Sequence, residues 1–447
     1  MEKTKLLYIG DAAANSGFST VSSGLLRGLH STGKYEILQL GINYNDTMPW
    51  NEPWKVIPAG FPGLSPVSPK TIVTDDPYGT LKANLFVESF DPDIAFVNND
   101  YPIGKMYMED SKTRKPTAFA KHRSTKVLYS PVDSEPVPRP FASIAKMYEL
   151  NIAYSYWHRS MMTEHDELFA LMPVLYHGYD PETFYPMDKR EARHELAQIF
   201  HKHNSEIPAD HFEKKFQDAF IVYFVGTNQF RKDIPCLFRA YADFREEVED
   251  TYLIPHTNAV PVDPKGWHLQ HLQELTGVTK AVLMENANEF SADEMRIFYN
   301  AASVLAYPTR GEGFGLPSLE AMACKTPVIA TNFGPQYELH RDGRGYFIDV
   351  RDVIPGDFAA WSYYVLPDHR SLYKQLKFVH DNPEEAQETA ERAYEWAKDL
   401  TWENQAKQLD GILDKLPRGI DRDDWIQEHD SSTVGDADTG SGPDPLQ

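Results

Sequence analysis

Short apolar runs alternate with longer amphipathic stretches along this chain, and the alternation starts twice. LLYIG (6–10) reads as a buried strand, followed by a Gly/Ser/Asn loop and a helix near TVSSGLLRGLH (20–30). EILQLGI (36–42), DIAFV (93–97), KVLYS (126–130) and IAYS (152–155) read as further strands. After residue 190 the grammar restarts with FIVYFVG (220–226), TYLIP (251–255), KAVLM (280–284), SVLAYP (303–308), PVIAT (327–331) and GYFIDV (345–350). Amphipathic stretches such as EARHELAQIFHKH (191–203), PCLFRAYADFREEV (235–248) and ADEMRIFYNAAS (292–303) lie between them, and 382–417 reads as helix. Strands that are apolar on both faces need cover on both faces. Strand–helix alternation therefore predicts parallel sheets sandwiched by helices. Two runs predict two Rossmann-like α/β domains, with a boundary near residues 180–190.

The 447 residues allow two to three domains of ~150 residues each, and 24 Phe and 24 Tyr are too many for a disordered chain. Acidic residues outnumber basic ones 66 to 44, a net charge of −22, which disfavours a general nucleic-acid or anionic-membrane binder. Eight of those acids and one Arg fall in 421–447, a Ser/Gly/Asp/Pro-rich stretch with little to bury, so an acidic disordered tail is expected from 418 onward. Only two cysteines are present, Cys236 and Cys324, too few for a disulfide framework or a Cys-rich metal site. No apolar run approaches the ~20 residues of a membrane span. MEKTKLLYIGD does not read as a secretory leader. A cytoplasmic protein without stable membrane insertion is expected.

The segment YPTRGEGFGLPSLEAMACKTPVIAT (307–331) carries the most chemistry. A strand ends at Pro308, a loop follows, and GEGFG opens a helix. Glycines let the backbone approach a ligand, and the helix start offers unpaired N–H groups suited to phosphate. Glu312 in the loop and Glu320 in the helix flank that anion site. Carboxylates do not bind phosphate, but they do accept from sugar and ribose hydroxyls. A strand–loop–helix with a capping Glu is the plainer reading. FIVYFVGTNQFRKD (220–233) ends another strand at Gly226 and places Arg231 and Lys232 before a helix. A cation pair there fits a diphosphate, or else a solvated surface. The loop GDAAANSGFST (10–20) lacks GxGxxG spacing, so a dinucleotide reading is poor. Its Gly17 serves either a ligand's close approach or a tight turn.

Taken together, GEGFGLPSLEAMACKTPVIAT, VGTNQFRKD and YHGYDPETFYP (176–186) resemble the family 4 retaining glycosyltransferases, the glycosyl transferases group 1. Their signature is two Glu separated by seven residues, here Glu312 and Glu320. The resemblance covers most of 174–350. It implies a GT-B fold, an α/β architecture of two Rossmann-like domains facing each other across a cleft. It implies an acceptor-binding domain over 1–185 and a donor-binding domain over 186–390. A helix over 391–417 would return to the first domain, and the acidic tail would occupy 418–447. A nucleotide-sugar donor, UDP- or GDP-linked, is implied as substrate, with no cofactor and no metal.

By the same resemblance Arg231 and Lys232 neutralise the leaving diphosphate, helped by the amides of Gly313, Phe314, Gly315 and Leu316. Glu312 holds donor-sugar hydroxyls and Glu320 the ribose. Gly226 and Gly17 line the donor, and the nucleobase lies near 285–290, with Asn286 as its contact. Transfer with retention needs no acid–nucleophile carboxylate pair, because the departing phosphate takes the acceptor's proton on the same face.

Many members place a His after a mid-domain strand, against the donor sugar. Here KVLYSPVDSEPVP (126–138) offers Asp133 instead, either a catalytic contact or a turn former. Asn99 and Asp100 in NNDYP end another strand and are candidate acceptor contacts. Residues 105–126 hold seven Lys and Arg against two acids, and Lys112, Arg114 and Lys115 are the candidates there for a polyanionic acceptor. The acceptor is open among DNA, glycan, protein and small molecule, and no oligomeric state is implied. A DNA-base (hydroxymethyl-pyrimidine) glycosyltransferase of viral type and a non-catalytic sugar-nucleotide binder are the alternatives.

Overall fold

Leu6 to Ile9 of the first apolar run are wholly buried, as a strand covered on both faces must be. The computed structural model describes residues 3–14, 16–45, 47–60, 76–203, 206–261, 266–278, 280–284, 287, 290–356 and 363–417. The expected tail and Asn286 lie outside the described residues. The chain divides into two compact units. One holds residues 1–130, 140–152 and 410–447, and the other 131–139 and 153–409.

The first unit is built on β1 (Thr4–Asp11), β2 (Tyr35–Ile42), β3 (Lys55–Pro58), β4 (Ile94–Asn98), β5 (Thr125–Tyr129) and β6 (Leu150–Ile152). They pair in the order β3-β2-β1-β4-β5-β6, all parallel, with Leu6 between Ile37 and Ile94. The helix Gly17–Ser31 follows β1 and is capped by Ser16, whose Oγ accepts from the Ser19 N–H at 3.1 Å. Asp410 belongs to this unit, and its carboxylate accepts from Lys34 Nζ and the Tyr35 hydroxyl, each at 2.7 Å.

The second unit is built on β7 (Phe220–Val225), β8 (Thr251–His256), β9 (Val304–Tyr307), β10 (Val328–Thr331) and β11 (Tyr346–Ile348). Their order is β11-β10-β9-β7-β8, again all parallel. In such a sheet the order reverses between the first strand and its later neighbour. Loops leaving the carboxyl ends of those two strands diverge and leave a crevice. In this unit the strands are β7 and β9, and in the first unit β1 and β4. Among the described residues no helix is long and apolar enough to cross a membrane.

One expectation changes, and two elements have no counterpart in the sequence reading. KAVLM (280–284) is no regular strand, for Ala281 and Met284 make only single bridges to Leu253 and Asn258. Residues 280–283 are half-buried along β8, at the sheet's edge, and Met284 is buried. The short β3 emerges from KVIP, too brief to carry a periodic signal. β12 (Val350–Pro355) and β13 (Tyr363–Pro367) form an antiparallel hairpin. β12 is exposed along most of its length, so no buried apolar run marked it.

Candidate functional site

The loops after β7 and β9 carry the charged groups singled out above. After β7 a single 3-10 turn, Phe230–Lys232, presents Arg231 and Lys232, and the helix Ile234–Glu247 follows. After β9 the chain runs through Thr309 to Gly315 into the helix Leu316–Ala323. The two loops are tied by main chain, the Arg310 N–H donating to the Arg231 carbonyl at 2.7 Å. The Arg310 guanidinium lies 4.1 Å over the Phe230 ring and donates to Asp233 Oδ1 at 2.8 Å in a buried ion pair.

Glu312 sits at the centre. Its Oε1 accepts from Arg231 Nη1 at 2.8 Å and from Lys232 Nζ at 2.5 Å. The Glu312 and Lys232 side chains are only 8% and 6% exposed, while Arg231 is 30% exposed and forms the open side of the cluster. Lys232 also donates to the Tyr307 hydroxyl at 2.7 Å, and Arg231 to the Gly311 carbonyl at 3.1 Å. Burial pushes the Glu312 carboxyl up, but the two cations outweigh it and hold the group below its usual range, so it is ionised. Burial brings the Lys232 ammonium down to about 8, against the pull of Glu312.

Gly226 lies under Lys232, where an added Cβ would stand 3.2 Å from Lys232 Cε. Gly311 has no room for a side chain, because a Cβ would fall 2.2 Å from the Asp133 carbonyl oxygen and 3.1 Å from the Tyr364 ring. Asp133 is therefore packed against this loop, and its charge acts on both Arg231 and Lys232. Gly313 abuts Pro131 in the same way. Gly315 takes φ +101°, a left-handed conformation open to glycine, and starts the helix at Leu316. The Phe314 side chain is buried against His177, ring centroids 4.6 Å apart, and its carbonyl accepts from Gln336 Nε2 at 2.8 Å. Burial brings the His177 imidazole down to about 3, leaving it neutral.

Glu320 lies in the helix that follows. Its Oε2 accepts from the Tyr299 hydroxyl at 2.6 Å, and burial raises its carboxyl to about 7. Tyr307 feels the charge of both Glu312 and Glu320, that of Glu312 the more strongly. Tyr299, Tyr307, Asp233 and Tyr364 went unnoticed in the sequence. Tyr307 opens the signature segment and was within reach of a local reading. Asp233 closes the VGTNQFRKD segment and was equally within reach, whereas Tyr299 and Tyr364 meet the site through contacts that no spacing encodes.

Other candidates lie in the first unit. Gly17 is the first residue of its helix. Asn99 is buried, its Oδ1 accepting from the Asp100 N–H at 2.8 Å, and Asp100 is exposed before the helix Tyr101–Met108. Lys112, Arg114 and Lys115 lie on a tight turn, where Arg114 pairs with Glu109 at 2.9 Å. Arg123 pairs with Asp91 at 2.8 Å, and Lys126 is wholly buried with its ammonium on the His122 and Ser124 carbonyls. Among the described residues no group of three or more His, Cys, Asp or Glu is placed to hold a metal ion.

Residues 206–355 match the family described as Glycosyl transferases group 1. A D-inositol 3-phosphate glycosyltransferase from Nocardioides is 26% identical over 264 residues, covering 56% of this chain and 50% of that protein. One from Corynebacterium urealyticum is 30% identical over 206 residues, 44% of each chain. This chain spans about half the length of the curated relatives it matches. Sucrose-phosphate synthase from Thermosynechococcus elongatus superposes with a TM-score of 0.65 at 16% identity, over 93% of this chain and 99% of that one. Anabaena HepE, solved with UDP-glucose, gives 0.64 at 14%, over 92% of this chain and 100% of that one. At such identities the likeness is one of fold, and that fold is GT-B with its two Rossmann-like units. The stretch 206–355 that matches the glycosyl transferases group 1 family contains every charged group of the site except Asp133.

Proposed function

We propose that the protein is a retaining glycosyltransferase that moves a sugar from a UDP- or GDP-linked donor to a hydroxyl acceptor. The observation that carries this reading is the Arg231–Lys232–Glu312 cluster at the point where the sheet order reverses. Two cations beside the amides of Gly313 to Leu316 suit a diphosphate, and the neighbouring carboxylates suit hydroxyls. The bond from the anomeric carbon to the diphosphate oxygen breaks as the acceptor oxygen bonds to that carbon on the same face. The acceptor's proton passes to the departing phosphate. Arg231 and Lys232 stabilise the charge where it develops, which is the part a divalent ion plays in other transferases. Glu312 is engaged by both cations and Glu320 by Tyr299, so neither is posed as a nucleophile. Two buried free cysteines suit a reducing, cytoplasmic setting.

The DNA reading is the less favoured alternative. Of the seven cations at 105–126, Lys105, Arg114 and Arg123 are in ion pairs and Lys126 is buried. A panel of nucleotide sugars, assayed for nucleoside diphosphate release, tests the proposal. Wild type should release it from at least one donor, and Glu312→Ala should lower that rate by about 100-fold or more. Tight nucleotide binding without release from any donor would leave a sugar-nucleotide binder.

A further inference from the structure

One oxygen, Glu312 Oε1, takes both cations of the site. A diphosphate approaching Arg231 and Lys232 meets two cations that already share one carboxylate, a cluster of net +1 rather than +2. If Glu312 stays, its charge and those of the diphosphate share two cations in a nearly dry place. If it withdraws, an ionised carboxylate that is 8% exposed loses both of its charge-assisted bonds. Either course weakens the binding of a bare diphosphate. A ligand that also brings hydroxyl donors to Glu312 escapes the penalty, since those donors replace the cations as its partners.

We propose that Glu312 is a specificity-determining residue that works against the bare nucleoside diphosphate, holding the two phosphate-binding cations until a sugar supplies hydroxyls in their place. The inference rests on the nucleotide-sugar reading and deepens it. The site favours a complete donor over its own product. Once the sugar has left, Glu312 returns to the cations and helps expel the diphosphate. Tyr307 steadies this exchange, for its hydroxyl keeps Lys232 partnered when Glu312 is elsewhere.

Calorimetric titration with inorganic diphosphate, a probe without base or sugar, tests the idea on the full chain. In wild type at about pH 6.5 Lys232 is charged, being below its titration near 8; because Glu312→Gln removes a pull that raises that value, each titration is repeated at about pH 5.5. Glu312→Gln should bind the probe at least about fivefold more tightly than wild type, because the competing charge is gone. Glu312→Asp, which keeps the charge but draws it back from the cations, should gain less. Equal or weaker binding by both variants overturns the inference alone, provided wild type binds and the variants melt near it. No binding by any of the three proteins removes the phosphate role of Arg231 and Lys232, and with it the nucleotide-sugar reading.

Discussion

Glu312 and Glu320 are eight positions apart, yet they meet opposite electrostatic fates. Two cations keep Glu312 ionised, whereas Glu320 has one neutral partner in Tyr299 and is raised by burial to about 7. The sign of the consequence follows from linkage. Between the ordinary value of 4.5 and about 7 the folded protein holds a proton that the unfolded chain has released, so stability falls as pH rises through that window. Glu320→Gln should therefore leave stability near wild type at about pH 4.5. Above pH 7 it should raise stability by on the order of 2 kcal/mol, after discount for partial exposure. Denaturant unfolding across that range checks it, and a gain independent of pH would contradict the assignment. The identities of Arg231, Lys232, Glu312 and Glu320 were legible in the sequence, because each stands in a short motif whose spacing survives without the fold. The buried Arg310–Asp233 pair was not, since its members lie in separate loops and only the sheet order brings them together.

Elements, rather than single residues, set the shape of the loop after β9. Gly311 lies in a slot between the Asp133 carbonyl and the Tyr364 ring, and the Val365 N–H of β13 donates to the Arg310 carbonyl at 3.1 Å. The hairpin thus braces the loop that carries Glu312. Gly311→Ala should cut donor turnover by about 100-fold, since a shift near 1 Å misplaces charged groups. Gly411→Ala is the matched control. That glycine lies in the helix Trp402–Leu413 with open space where a Cβ would go, so the change should leave turnover intact and stabilise by about 0.5–1 kcal/mol. Turnover assays with thermal melts compare the two, and an active Gly311→Ala would remove the slot argument. The parallel strands were readable because apolar residues on both faces leave a continuous run. The hairpin was not, because the exposed residues of β12 leave no run to see.

At the scale of the whole molecule, net charge proved a weaker guide than its placement. The −22 total excluded a generally basic binder, and the basic stretch at 105–126 is spent in part on ion pairs with Glu109 and Asp91 and on the burial of Lys126, while Lys112 and Lys115 are exposed on their turn. The two cations on which the proposed function rests are held where the order of the second sheet reverses. Both sheets carry the same grammar of strand, loop and helix, which is why the fold class could be read from the alternation alone. What the alternation does not encode is strand order, and strand order decides which loops meet. The central claim, that the β7 and β9 loops together hold a nucleotide sugar for retaining transfer, has one direct measurement. Incubated with the α-linked donor that the panel selects, and with water as slow acceptor, the protein should generate nucleoside diphosphate and, first, the α-anomer of the free sugar, followed by ¹H NMR before mutarotation. Release of the β-anomer first, or of the α-anomer at an undiminished rate from Lys232→Met, would contradict the account.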